Sequence, residues 1–164
     1  MQNVIALGTR AGTSRNEAIQ TRSRAFLGID YGRKRIGLAI SELGIIAKPL
    51  KTIENKGTRK NLITFTEIVK RNNIGTIVIG LPVHKNTTMS DEVQVFAKTL
   101  ETLNLEIIFQ NEMLTSVEAE TVIARNEAIP NGPTHHKSID SIAASMILQE
   151  YLTEKGRKLK NVQN

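Results

Sequence analysis

The sequence predicts an α/β domain: one mixed five-stranded sheet, three antiparallel strands then two parallel, flanked by helices. Three short apolar segments follow one another between residues 26 and 53, too closely spaced for crossover helices. Two further apolar runs, at 76–80 and 106–110, each follow a stretch of helical periodicity. A last periodic segment begins near Ser138.

Phe26 to Tyr31 reads as the first strand, Arg35 to Ser41 as the second and Ile45 to Ile53 as the third. The links Tyr31-Gly32-Arg33-Lys34 and Glu42-Leu43-Gly44 are short, which makes these strands an antiparallel meander. A helix near 60–72 presents Leu62, Phe65 and Val69 on one face. Thr76 to Gly80 suits a buried strand, and Pro82 ends it. Ser90 is the expected N-cap of the next helix, with Asp91 and Glu92 near the positive end of its dipole. Val93, Phe96, Ala97 and Leu100 form its apolar stripe. Glu106 to Gln110 is the fifth strand, and Thr115-Ser116-Val117-Glu118 is a capping box opening a helix to about Ile129. The last helix carries Ile139, Ile142, Ala143, Met146 and Tyr151 in step. The order is βββαβαβαα.

The chain of 164 residues is long enough for one domain, expected over residues 26–152. Residues 1–25 lack sustained periodicity and are expected to be a non-structural extension, and 153–164 a basic tail. Val4-Ile5-Ala6-Leu7 is too short an apolar run for a secretory signal, although the Arg-rich start has some transit-peptide character. The pentapeptide at 15–19, Arg-Asn-Glu-Ala-Ile, recurs at 125–129. The absence of Cys excludes a disulfide scaffold and a thiolate nucleophile or metal site. No apolar run reaches membrane-spanning length. The formal net charge is +6, yet residues 26–150 carry 14 basic and 14 acidic residues. The excess therefore falls on the two ends, which suit loose contact with a polyanion.

Three carboxylates stand out. Asp30 lies on the first strand, on the face opposite Leu27 and Ile29, where a charge needs a cation, donors or water. A bland alternative is that it stabilises the turn at Gly32. Glu112 lies just past the fifth strand, at the edge where parallel sheets place their sites. Asp140 lies in the first turn of the last helix, where an acid also simply favours the dipole. Converged at one sheet edge, they form an all-oxygen set suited to Mg²⁺ or Mn²⁺. Arg33, Lys34 and Arg35 form a cationic hairpin beside Asp30 that suits phosphate. His135 and His136 are adjacent, point apart and are expected in a loop. No aromatic platform for stacking bases is evident, so backbone or shape recognition is the better expectation.

The segment from Leu27 to Ala39 resembles the opening strand pair of the YqgF/RuvX family, known as Holliday-junction-resolvase-like proteins or pre-16S rRNA nucleases. Ile77-Val78-Ile79-Gly80-Leu81-Pro82 resembles the family's middle motif. Glu112-Met113-Leu114-Thr115-Ser116 and Asp140-Ser141-Ile142-Ala143-Ala144 resemble its last two. The likeness spans about residues 25–152 in the right order. It implies a ribonuclease-H-like fold and an acidic triad of Asp30, Glu112 and Asp140, holding one or two Mg²⁺ or Mn²⁺ ions. Arg33, Lys34, Arg35 and Thr115 are then the expected substrate contacts. The implied role is phosphodiester hydrolysis in 5′-end maturation of precursor ribosomal RNA, in the bacterial cytoplasm. Asn111 and Met113 depart from the Asp and Arg that the family often carries there.

Three other readings stay open. A non-catalytic RNA-binding assembly factor would bind without cutting. A DNA-junction resolvase would cut twice, usually as a symmetric dimer, and no dimer interface is legible. An actin-like ATPase would need a second Asp-x-Gly hairpin domain, for which the chain has no room.

Overall fold

The computed structural model describes residues 24–82, 87–112 and 135–162. β1 (Ala25–Tyr31), β2 (Arg35–Ser41) and β3 (Lys48–Glu54) form the antiparallel meander. α1 (Thr58–Asn72) leads into β4 (Ile74–Pro82). α2 (Thr87–Leu100) and a 3-10 turn at Glu101–Leu103 lead into β5 (Glu106–Glu112). The long α3 (His135–Val162) follows. The strand order is β3-β2-β1-β4-β5, with β4 parallel to both β1 and β5. This is the mixed sheet that the spacing predicts. The helix expected over 115–129 and the N-terminal 23 residues lie outside the described residues.

Strand alternation sorts the side chains into two unequal layers. Leu27, Ile29, Ile36, Leu38, Ile77 and Ile79 point to one face and pack with Phe65 of α1 and Phe96 and Leu100 of α2. Burying each large side chain contributes about 1.5–3 kcal/mol, so this layer carries most of the hydrophobic stabilisation. The opposite layer is thinner: Ala39 and Val78 against Ala144, Ile147, Leu148 and Leu152 of α3.

Close approach compensates for the small side chains there. Gly28 and Gly37 lie under α3, and a Cβ at Gly37 would overlap the carbonyl oxygen of Asp140. A Cβ at Gly28 would come within 2.7 Å of the Leu148 Cβ and 2.8 Å of the Ala144 carbonyl oxygen. The helix backbone thus rests directly on two strands. This corrects the expected stripe on α3. Ser141, Ala144, Ile147, Leu148 and Leu152 are buried, while Ile139, Ile142, Ala143 and Met146 are only half-buried. The set with Ile139, Ile142 and Met146 reads as the core face in sequence, but the contact over the glycines is made by the backbone of Asp140 and Ala144 and by Leu148.

Element boundaries differ from expectation for local reasons. β3 starts at Lys48, not Ile45, because the link from β2 turns through Gly44 at φ 69°. Ile45 and Ile46 are exposed in that link. Pro49 sits on the edge strand beside a register shift between Leu38 and Ala39, where a missing N–H is tolerated. α2 begins at Thr87, so Ser90 does not cap it; its hydroxyl donates to the Pro82 carbonyl oxygen at 3.4 Å. α3 begins at His135, since nothing in His135-His136-Lys137-Ser138 breaks a helix. The basic residues after 152 continue α3 to Val162.

Gly37→Ala is expected to lower unfolding free energy by about 1–3 kcal/mol in urea titrations, as overpacking does. Gly156, with nothing within 4 Å of an added Cβ, lies inside α3. Gly156→Ala should instead stabilise by about 0.5–1 kcal/mol. Equal effects at the two positions would contradict the close approach of α3 at Gly37.

Candidate active site

The C-terminal ends of β1, β4 and β5 define one edge of the sheet. Asp30 is the penultimate residue of β1, half-buried, and pairs with Gly37 of β2. Alternation with Gly28 places it on the α3 face. Gly37 is also the residue on which the Asp140 turn of α3 rests, so the structure brings Asp30 and Asp140 to the same place. Glu112 is the last residue of β5 and pairs with Pro82, so it ends the strand rather than following it. It comes two residues after Gln110, whose amide reaches Glu154 of α3 at 3.3 Å. Ile29 pairs with Ile79 and Ile79 with Phe109. Two strand spacings and a short stagger therefore separate the backbones of positions 30 and 112, roughly 12 Å in all. Thr115 and Met113 lie outside the described residues.

The hairpin cations are held in ways that sequence reading misses. Arg35 donates from Nε to Asp140 Oδ2 at 2.6 Å. This hydrogen bond, and then the carboxylate's charge, raises the pKa of Arg35, so the group is cationic at every working pH. Arg33 forms a fork on Glu92 of α2: Nε lies 3.2 Å from Oε1 and 3.0 Å from Oε2, and Nη2 lies 3.0 Å from Oε1. Lys34, between them, is exposed and makes no ion pair with another described residue.

Two asparagines lock the hairpin to α1. Asn55 donates from its backbone N–H to the Lys34 carbonyl oxygen at 2.9 Å and from Nδ2 to the Gly32 carbonyl oxygen at 2.9 Å. Buried Asn61 donates to Asn55 Oδ1 at 2.8 Å and accepts from the Lys56 backbone at 3.0 Å. Buried amides with both ends satisfied fix geometry, because losing one bond strands its partner away from water. The turn beside Asp30 is thus rigid, and Tyr31 adds a ring contact to Phe96 at 4.8 Å between centroids.

No group of three or more His, Cys, Asp or Glu among the described residues forms a metal cluster. Asp30 and Asp140 are described in full, whereas Glu112 is described by its strand position alone. Among the described residues, Asp30 and Asp140 offer carboxylate oxygens at this edge, which suit a hard divalent cation.

A sheet of this order, with acids at the C-terminal edge beside its first hairpin, is a ribonuclease-H-like domain. RuvC of T. thermophilus, solved in complex with a Holliday junction substrate, shares the fold. It aligns with a TM-score of 0.55 at 12% identity, covering 82% of this chain and 97% of that one. The profile of the RuvX family, described as Holliday junction resolvase, matches residues 24–154. A protein of Endomicrobium trichonymphae named "Putative pre-16S rRNA nuclease" is 38% identical over 132 residues, covering 77% of this chain and 93% of the relative. A protein of the same name from Thermoanaerobacter pseudethanolicus is 35% identical over 137 residues, covering 80% and 98%. The chain belongs to the RuvX family, a family of nucleases that hydrolyse phosphodiester bonds. No helix among the described residues is long and apolar enough to cross a membrane.

The Arg33 fork has a pH signature. Its hydrogen bond, and to a smaller extent its charge, holds the Glu92 carboxyl below the ordinary carboxylate range against the opposing pull of burial. The pair therefore contributes above the unfolded carboxylate pKa of about 4.3 and is lost as pH falls through the lower folded value. Carboxyl NMR titration should find Glu92 depressed in wild type and returned to the ordinary range in Arg33→Ala. An unchanged Glu92 titration in the variant would show that the fork does not form.

Proposed function

We propose that the chain is a divalent-metal-dependent endonuclease acting on precursor ribosomal RNA, trimming the 5′ end of pre-16S rRNA in the cytoplasm. The observation that carries the reading is that Asp30 pairs in the sheet with Gly37, the residue on which the Asp140 turn rests, at the edge where β5 ends in Glu112. The names of the relatives support RNA as substrate.

Asp30, Glu112 and Asp140 would hold one or two Mg²⁺ or Mn²⁺ ions. A divalent cation bound there supplies Lewis acidity toward a phosphoryl oxygen and makes water a stronger acid. The protein's part is positional. Strand pairing fixes the backbone of Asp30, and Arg35 fixes the carboxylate of Asp140 through the 2.6 Å hydrogen bond. Lys34 extends toward solvent from the rigid turn and is the hairpin cation best placed to meet a phosphate. Arg33, committed to Glu92, acts on substrate only by bracing that turn. Thr115 would add a hydroxyl contact to phosphate.

A DNA four-way junction is the second substrate to weigh, since the family profile is that of a Holliday junction resolvase. Both should be offered side by side: a 16S precursor with its 5′ leader, and a four-way junction, each with Mg²⁺, Mn²⁺ or EDTA. The expected result is metal-dependent cutting of the RNA, abolished in Asp30→Asn while the melting temperature stays within a few degrees. Wild-type cutting rates in Asp30→Asn would overturn the site. Binding without cutting would favour an assembly factor and direct attention to Asn111 and Met113.

A further inference from the structure

The charge balance of residues 26–150 is not spread evenly. Residues 48–73, which span β3 and α1, carry seven Lys and Arg against Glu54 and Glu67, a net charge of +5. Residues 87–112, which span α2 and β5, carry Asp91, Glu92, Glu101, Glu106 and Glu112 against Lys98. The sheet order puts β3 and β5 at opposite edges. Among the described residues, the β3 edge of the sheet is therefore basic and the β5 edge acidic, a separation that the near-neutral total over 26–150 hides.

The basic edge is also shaped. Two depressions lie end to end between edge strand β3 and helix α1. One is lined by Arg35, Lys56 and Lys60, at the end of β3 next to the site. The other is lined by Lys51, Lys70 and Arg71, farther along the same strand and helix. All seven basic residues of this segment are exposed. Only Lys56 makes an ion pair with a described residue, to Glu54 at 3.3 Å. The contrast with the hairpin is direct: Arg33 and Arg35 are held by carboxylates, whereas the cations of this segment other than Lys56 make no ion pair with a described residue. Glu67 is the single acid against Lys51, Lys70 and Arg71. Arg35 connects the two regions, since it lines the nearer depression and also bonds Asp140.

We propose that the groove between β3 and α1 binds the phosphodiester backbone of a single-stranded arm of the nucleic-acid substrate, leading it from the site toward Lys51, Lys70 and Arg71. This rests on the nuclease reading and adds where the flanking strand runs. The groove is bounded by one strand and one helix, with basic side chains at both of its ends. From Lys60 to Arg71 the helix advances about 16 Å, room for several phosphates. Exposed lysines and arginines, all but Lys56 without an ion pair to a described residue, hold phosphates without reading bases, in keeping with the lack of exposed aromatics on these elements, whose one ring, Phe65, is buried.

The test compares two triple variants of equal charge change, each in the Asp30→Asn background so that the substrate survives. One carries Lys51→Gln, Lys70→Gln and Arg71→Gln. The other carries Arg157→Gln, Lys158→Gln and Lys160→Gln on the exposed end of α3. Binding of fluorescent RNA and DNA with single-stranded arms is measured over a salt series, and melting curves check folding. The groove variant should bind about tenfold more weakly near 0.1 M salt. Its slope of log affinity against log salt should fall by about 2, given about 0.7 per phosphate on single strands. The α3 variant should change both much less. Trimming the arms to one nucleotide on either side of the cut should remove the difference between groove variant and wild type. Equal weakening in both triple variants, or a groove variant that binds as wild type does, would overturn the proposal. Failure of the nuclease reading shows separately, as wild-type protein that binds but never cuts.

Discussion

α3 reaches its position only because β1 and β2 offer no side chain beneath it at Gly28 and Gly37. Nearly everything at the candidate site depends on this contact. A methyl group at Gly37 would lift the turn that carries Asp140, and the 2.6 Å bond from Arg35 would lengthen with it. The two sheet faces thus solve different problems. One gains stability from large aliphatic side chains packed on α1 and α2. The other gives up bulk so that a helix backbone and a carboxylate can approach the sheet closely.

Electrostatics follow the same division of labour. Two of the three hairpin cations beside Asp30, Arg33 and Arg35, are paired with internal carboxylates, Glu92 and Asp140, and they set geometry. Exposed pairs of this kind contribute little to stability. Their value here is directional, because the Arg33 fork ties the β1–β2 turn to α2 while Asn55 and Asn61 tie it to α1. A turn fixed from two helices keeps Asp30 in register without burying further apolar surface.

Much of the architecture was legible in the residues. Alternation and short links gave the meander, and the stripe Val93, Phe96, Ala97 and Leu100 is buried as its spacing implies. The buried face of α3 was not legible, because Ile142 and Met146 are in step with Ile139, while the turn that rests on the sheet glycines buries Ser141, Ala144 and Leu148 instead. Ile45 and Ile46 read as strand for the same reason, although nothing covers them among the described residues. The local motifs around Asp30 and Asp140 marked positions worth attention, but pairings such as Arg33 with Glu92 cross 59 residues, and no local pattern encodes them. Nor did a charge total over residues 26–150 reveal opposite edges, since strand order and not chain order sets which charges are neighbours.

Pro49 on β3 has a consequence for the protein as one molecule among many. An edge strand with free N–H and C=O groups invites a strand from another chain to pair with it. On β3, Pro49 supplies no N–H, Lys48 and Lys51 flank it with exposed charge, and the register shift beside it disturbs the regular ladder. A second copy approaching this edge would meet like charge and a gap in the hydrogen-bonding pattern. Sheet growth from chain to chain is closed off here, so a macromolecule that engages this edge does so through side chains and not by lending a strand.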